Sequence, residues 1–523
     1  MAANLQTDLV SSDAHPQSVA TVNQHASSGD FLARHEGKIL LGLLLLFLVV
    51  NVVTGARCPT VIGDEMMWTD PAANLYFGKG FTSSVWYVQS PSAFWAGNVP
   101  LYPLVLYVWL RLFGFGPLAV RSMGYVMMLG AAILLWSCVR RRGWIATPRW
   151  RLAMVALVLS GYGTAYSYRM GRPDAMTVLL ACGAAFASTF QRAAGRWAAL
   201  ASFGFLFPWT GLQLGLYAII FCGILLAFEW KAFWREAVCV ALGEMIGALG
   251  LFRLYSTHGV WRDFLRSAVG IHTPLGAMTF SNKLQDIRMN FGGFLKDPSF
   301  LLLLALISSL ALVNSRYHTN RSRSFFVFAL CSSVSVPIAV FLLGIYPIYY
   351  SWMAYIPLVV SLCAVLEADW RMGLSAREKR AALGTLVLAG ALGLPVYCGL
   401  AAGNWAERDP ARVARLAERA LSRGDWVMCE YGAYYGAKRY AQQVFPDFNL
   451  ARTTTEQRQR ISVLIVRPED SQDAARGLGG SWRDTGEGAH SKSGSALFGL
   501  ENSKIFEMYN LEVYRRVGTR PPR

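Results

Sequence analysis

The stretch Ile39–Ala56, ILLGLLLLFLVVNVVTGA, carries no charge and is long enough to cross the hydrocarbon core of a bilayer. Further apolar runs follow at about 117–139, 152–168, 175–190, 198–207, 212–229, 237–255, 298–313, 325–344, 352–366 and 382–402. Backbone polar groups inside lipid must be satisfied internally, so such runs are read as helices, including those broken by Gly or Pro. The expected fold class is an all-α polytopic membrane bundle. Composition agrees: 54% of residues are hydrophobic and 15% charged, against roughly 25% charged in soluble domains. With 17 Trp, 22 Tyr and 29 Phe, a disordered chain and a soluble enzyme are both excluded.

Residues 1–37 are polar and aperiodic, and read as a disordered cytoplasmic tail. No small-residue cleavage site follows Ala56, so the first span is expected to be an uncleaved signal anchor. Leu101–Phe113 is short for a span, and charge decides its placement. If it lies along the surface, the loops at 140–151, 191–197, 231–236, 314–324 and 370–380 all fall on one side, with sixteen Lys and Arg between them. The opposing connections at 208–213 and 345–351 have none. By the positive-inside rule this gives about 11 spans in the inner (plasma) membrane, N-terminus cytoplasmic and C-terminus extracytoplasmic. The same rule accounts for the net charge of +17 without nucleic acid. The nine Cys are scattered with no CxxC pair, which excludes a disulfide scaffold or zinc ribbon.

Three regions follow: the tail 1–37, a transmembrane domain 38–402 with outer loops at 57–116 and 256–297, and a small extracytoplasmic α/β domain at 403–523. In the last, Asp409-Pro410 is expected to cap a helix carrying Val413, Leu416 and Leu421 and stopped by Gly424. Strands are expected at Trp426–Cys429, Ile461–Val466 and Leu511–Val517, and the Gly/Ser-rich 477–495 reads as a loop.

Two outer segments carry chemistry. GDEMMWTDPAANLYFGKGFTSS (63–84) sets Asp64 and Glu65 side by side just beyond the first span. Asp70-Pro71 is expected to start a short helix, Ala72–Phe77, ended by Gly78-Lys79-Gly80. SYRMGRPDAM (167–176) places Arg169, Arg172 and Asp174 in a short turn between spans, where charge is costly unless paired or used. Two acids with arginines nearby suit transfer from an anionic leaving group. One carboxylate takes the acceptor proton and the guanidinium steadies the departing phosphate. The bland alternatives are solvated loop acids and an Arg–Asp pair capping two helices. Glu244 lies mid-span, and His272, Lys283 and Arg288 lie in the 256–297 loop. Tyr349 and Tyr350 belong to an aromatic turn that also suits a membrane-interface belt. HExxH, GxSxG and P-loop motifs are absent.

The order of these features resembles the GT-C superfamily of integral-membrane glycosyltransferases. It runs first span, DE, A.NL..GKGF, PLYP…LFG.GPLAVR, basic loop, YRMGRPDAM. The nearest branch holds bacterial relatives of dolichyl-phosphate-mannose protein mannosyltransferases and the lipid A aminoarabinose transferases. The match covers about 57–180; the remainder agrees in layout. The resemblance implies a polyprenyl-phosphate-linked monosaccharide donor, a lipid, glycan or protein acceptor, and inverting transfer at the extracytoplasmic face. It assigns Asp64 as the base, with Glu65 beside it, and Asp174 as a second acid. Arg172 and Arg169 become donor-phosphate contacts. The family often has a basic residue before the PLY stretch; here Asn98-Val99-Pro100 stands there, so Lys79 or an Arg is expected to substitute. Asn98, Tyr102, His272, Tyr349 and Tyr350 are candidate donor or acceptor contacts. No metal ligand set is apparent, although two acids would accept a divalent cation. The main alternative is a secondary transporter or flippase for a lipid-linked saccharide that depends on Glu244. A third is a scaffold whose outer domain binds glycan.

Overall fold

The structure, a computed structural model, describes residues 26–86, 89–268, 304–309, 333, 350–370, 375–491 and 508–518. His272, Lys283, Arg288, Tyr349 and the run at 325–344, apart from 333, lie outside the described residues, as does most of 298–313.

The helical part comprises α1 (Ala26–Thr54), α2 (Gly63–Tyr76), α3 (Leu101–Phe113), α4 (Pro117–Arg142), α5 (Pro148–Ser160), α6 (Tyr162–Tyr168), α7 (Asp174–Ala187), α8 (Ala193–Thr210), α9 (Leu212–Thr257), α10 (Trp261–Ala268), α11 (Trp352–Trp370), α12 (Ala376–Ala391) and α13 (Leu394–Gly403). Among the described residues, Phe31–Thr54, Pro117–Arg142 and Phe233–Thr257 are long and apolar enough to cross a membrane. The pair α12 and α13, bent by 41°, makes a fourth if it forms one span. The expected run at 152–168 is broken at Gly161 into α5 and α6. There Tyr355 of α11 packs so closely that a Cβ on Gly161 would meet its hydroxyl at 1.8 Å. Helical hydrogen bonding runs on through the expected turn at 231–236. Yet Gly215 approaches Glu244, with 3.7 Å from a Cβ built on Gly215 to Oε1. A straight helix would hold these residues about 40 Å apart, so α9 folds back on itself as two arms.

The bundle has two unlike ends. At one, Glu36 of α1 pairs with Arg151 of α5 at 2.7 Å and accepts from Trp136 Nε1 at 2.8 Å, beside the basic end of α4. At the other lie α2, α3 and the C-terminal domain. As expected, α3 is a separate helix. It buries Tyr102, Leu106 and Leu110 and leaves Val108, Leu112 and Phe113 exposed, an apolar outer face that suits lipid.

The C-terminal domain contains α14 (Pro410–Ala420), β1 (Trp426–Cys429), α15 (Tyr434–Tyr440), β2 (Gln443–Pro446), α16 (Thr455–Arg460), β3 (Val463–Val466), α17 (Ser471–Leu478), β4 (Trp482–Ala489) and β5 (Leu511–Arg516). Asp409 caps α14 by accepting from Ala411 N at 3.2 Å, with Pro410 in the first turn. The helix ends at Ala420, before Gly424. The sheet order is β2-β1-β3-β5-β4, the first three parallel and the last two antiparallel. The stretch at 477–495 is therefore not all loop. Its centre pairs with β5 as an edge strand, with an irregularity between Asp484 and Gly488 that its glycines permit.

The C-terminal domain shares its core with the outer loop. Met66, Ala72, Trp95 and Leu106 belong to one apolar cluster with Val427, Tyr434 and Val463. A buried polar pair lies between bundle and domain. Arg121 of α4, fully buried, grips Glu65 of α2 through Nε (3.0 and 3.1 Å) and Nη2 (2.7 Å). It also donates to the carbonyls of Gly55, Pro59 and Thr60 at 2.6, 2.7 and 3.2 Å. Tyr435 of α15 donates to Glu65 Oε1 at 2.7 Å. All of the guanidinium nitrogens are thus engaged, and four chain segments meet at one point.

Breaking such a pair from one side leaves a buried charge and costs about 3–5 kcal/mol. Arg121→Ala is expected to lower the melting temperature of the solubilised protein sharply. Arg121→Lys is expected to rescue little, because an ammonium lacks the planar fork. Thermal unfolding followed by size-exclusion chromatography measures both.

Candidate active site

The helix that carries the paired acids begins at Gly63 rather than at Pro71. Asp64 and Glu65 therefore occupy its first turn, where the helix dipole favours negative charge. Asp70 does not cap a helix. It is fully buried, accepting from Ser83 Oγ at 2.7 Å, Ser84 N at 3.1 Å and Tyr434 Oη at 2.9 Å, with Lys438 Nζ at 2.5 Å. This network anchors the middle of α2 to the C-terminal domain. Successive helical residues point about 100° apart. Glu65 turns inward to Arg121, while Asp64 keeps 41% of its side chain exposed.

Arg172 approaches Asp64 from the turn between α6 and α7. Its Nη1 bonds to Asp64 Oδ2, and its Nε bonds to Asp174 Oδ2 at 2.9 Å. Asp174 is fully buried, and its Oδ1 has no partner among the described residues. The array is graded: a buried carboxylate holds the inner edge of the guanidinium, and an accessible carboxylate meets its outer edge. Gly171 makes the approach feasible. A Cβ there would meet Val120 Cγ1 at 2.4 Å and Glu65 Cγ at 2.9 Å, so a side chain would push the turn off α2.

The structure places the other candidates as follows. Arg169 is fully buried, donating to Cys58 O at 2.9 Å, Asn51 Oδ1 at 2.7 Å and Thr54 Oγ1 at 3.0 Å. It ties the turn to the end of α1. Lys79 lies past the far end of α2, about 15 Å or more from Asp64 by helical rise, and donates to Gln442 O at 2.5 Å. Asn98 is occupied locally: its Oδ1 accepts from Val99 N at 2.8 Å and its carbonyl from Tyr255 Oη at 2.5 Å. Tyr102 stands nearer, within electrostatic reach of Glu65, Asp174 and Arg172. Its ring packs edge-on to Trp68 at 6.1 Å, in a cluster that includes Trp86 and Trp95. Tyr350 packs against the bundle core.

Arg121, Tyr434, Tyr435 and Lys438 were not singled out from the sequence. Arg121 closes the GPLAVR stretch, but nothing local says that its charge is buried against Glu65. Among the described residues, no three or more His, Cys, Asp or Glu gather as a metal-binding group. A cation bound by Asp64 and Asp174 together would have to displace Arg172.

The C-terminal domain presents a second set of charges at the ends of its parallel strands, at Glu430, Asp447 and Arg467. Glu430 accepts from Gly432 N at 2.6 Å and from Arg467 Nη2 at 3.1 Å. Burial pushes its carboxyl up to about 7 and that of Asp447 up to about 6.

No family model matches the chain, and no curated protein matches it in sequence. Solved structures do match. The chain is similar in fold to ArnT from Cupriavidus metallidurans in the apo state, with a TM-score of 0.57 at 13% identity over 91% of this chain and 97% of that one. The structure of ArnT bound to undecaprenyl phosphate matches with a TM-score of 0.53 at 13% identity, over 92% and 98% of the two chains. The chain therefore shares the fold of these ArnT structures across nearly its whole length.

Two outcomes follow from the charges. Arg172→Met leaves Asp174 buried without its partner, a loss of about 3–5 kcal/mol. The double change Arg172→Met/Asp174→Asn should recover most of that stability, as read by thermal unfolding. The strand-end acids have folded pKa values above their unfolded ones, so they favour folding only while protonated. Their contribution is complete below about pH 4 and is lost as the pH rises to about 7. Protection of the β3 amides, corrected for intrinsic exchange, should fall between pH 5 and 7.5, with a shallower fall in Glu430→Gln.

Proposed function

We propose that the protein is a membrane glycosyltransferase. It moves a monosaccharide from a polyprenyl-phosphate donor to an acceptor hydroxyl at the extracytoplasmic face of the inner membrane. The observation that carries this reading is the Asp64–Arg172–Asp174 array, with one accessible and one buried carboxylate sharing a guanidinium. It lies in a fold like that of ArnT, a protein whose structure has been solved with undecaprenyl phosphate bound. The end of the bundle opposite the basic loops is then the extracytoplasmic one, in keeping with the positive-inside rule.

The chemistry follows from the charges. The acceptor oxygen attacks the anomeric carbon of the donor sugar while its proton passes to Asp64. The bond from that carbon to the phosphate oxygen breaks on the opposite face, so configuration inverts. Polyprenyl phosphate leaves with an added negative charge, and Arg172 lies where that charge develops. Asp174 positions Arg172 by holding Nε at 2.9 Å, with Nη1 directed to Asp64. As the phosphate draws Arg172, Asp64 loses its cation and becomes a better base. Arg172 already bridges the two carboxylates, and the reading gives it the place a divalent cation would otherwise take.

The test is release of free polyprenyl phosphate by the purified protein, supplied with a panel of polyprenyl-phosphate sugars and a membrane extract as acceptor. Asp64→Asn should reduce release by about 100-fold or more with melting temperature unchanged. Glu244→Gln and added chelator should leave it near wild type. Equal release by Asp64→Asn and wild type would remove Asp64 from the mechanism. Loss in Glu244→Gln alone would favour a transporter.

A further inference from the structure

The second arm of α9, Phe233–Thr257, is long and apolar enough to cross a membrane. Along it Leu242, Met245, Ile246, Leu249 and Phe252 are all exposed. Their spacing of three and four residues puts them in one stripe, the pattern of a helix that faces lipid. Arg253 continues the stripe at the end of the arm, and it is exposed as well.

The short helix α10 extends this surface. Its inner face is fixed: Ser267 Oγ accepts from Trp86 Nε1 and donates to Gly97 O at 2.5 Å, and the Phe264 ring stacks on Tyr255 at 4.6 Å. Arg262, Leu265 and Arg266, again three and four apart, are left on the exposed side. Trp261 joins the two faces, its ring edge-on to Phe252 at 5.0 Å. Tyr255 donates to Asn98 O at 2.5 Å, so this is the end of the bundle that carries α3.

The charges here are not neutralised within the protein. Met245–Ala268 holds three Arg against one acid, Asp263. None of Arg253, Arg262 and Arg266 has an ion-pair or hydrogen-bond partner among the described residues. In the orientation set out above, arginine on this side runs against the positive-inside rule and needs a local cause. The arrangement supplies one. Apolar side chains lie where acyl chains run, and guanidinium groups lie at headgroup level, where they bond phosphate. A soluble anion would use the arginines but not the stripe. A protein partner would have to displace lipid from a membrane helix.

We propose that this face of α9 and α10 binds an anionic phospholipid such as phosphatidylglycerol, with an acyl chain along the Leu242–Phe252 stripe and the phosphate at Arg253, Arg262 and Arg266. The site uses none of the Asp64–Arg172–Asp174 array and stands whether or not the protein transfers sugar. Bound lipid also braces the outer loop, because Ser267 and Tyr255 hold residues 97 and 98, and Trp86 packs edge-on to Trp68 of α2 at 5.5 Å.

The test uses the full chain with Leu265 replaced by the photo-crosslinker p-benzoylphenylalanine. Nanodiscs contain one part phosphatidylglycerol to four parts phosphatidylcholine with matched chains, and a trace of undecaprenyl phosphate. Mass spectrometry after irradiation identifies the attached lipid. Phosphatidylglycerol should be attached at least about fivefold above its share of the bilayer. The triple change Arg253→Gln/Arg262→Gln/Arg266→Gln should abolish the enrichment and leave the melting temperature in lipid-free detergent unchanged, since no internal partner is lost. Arg140→Gln/Arg141→Gln, at the opposite end of the bundle, should keep it. No attachment at all, attachment in proportion to the bilayer, undiminished enrichment in the triple variant, loss of it in Arg140→Gln/Arg141→Gln, or preferential attachment of undecaprenyl phosphate would each overturn the proposal.

Discussion

The structure depends on one buried guanidinium. Arg121 would be prohibitively costly at zero exposure without full pairing. It is tolerated because Glu65 and three backbone carbonyls surround it. Those partners come from the end of α1, the linker after it and α2, while Tyr435 closes the other side of Glu65. A group with so many obligatory partners permits one arrangement of α1, α2, α4 and α15. It is a specificity device as much as a stabilising one, because any slip would leave polar groups unsatisfied in an apolar surround.

That arrangement sets up the site. With Glu65 fixed inward, the helical period leaves Asp64 exposed. Asp70, bonded to Ser83, Tyr434 and Lys438, fixes the same helix further along. The two buried acids of α2, Glu65 and Asp70, are thus structural, and the accessible one is Asp64 at the start of the helix. Gly171 lets the Arg172 turn press against α2, and the buried Asp174 steadies the guanidinium from behind. A reacting carboxylate gains from such rigid surroundings, since positioning within a fraction of an ångström is what preorganisation supplies.

The C-terminal domain is part of this assembly rather than an appendage. It shares a core with the outer loop, holds α2 at two acids, and turns its strand ends toward Gly63. The apolar runs stop near residue 403, where α13 ends. The docking was not legible in the sequence, because Tyr434, Tyr435 and Lys438 look locally like ordinary residues of a short helix. The assignment of Arg169 and Lys79 beside a phosphate met the same limit. Both lie in the right segments, but Arg169 is engaged with α1 and Lys79 lies beyond the wrong end of α2. Likewise, Asp70-Pro71 carries the local mark of a helix start, yet tertiary bonds to Asp70 and the earlier start at Gly63 override it.

The amino-acid sequence by itself determined the solvent of this protein and the order of its parts. Lipid demands long apolar helices, the charge asymmetry of their loops gives an expected orientation, and two charged segments stood out because charge beside apolar spans needs a reason. These are properties of composition and spacing, which act locally. Only the tertiary structure decided which charges are paired with one another. Asp64 and Asp174 are far apart in the chain, and Glu65 differs from Asp64 by one residue and one methylene. What separates the exposed acid from the structural one is the partner each meets across space, through Coulomb and hydrogen-bond terms that depend on distance and burial rather than on position in the chain.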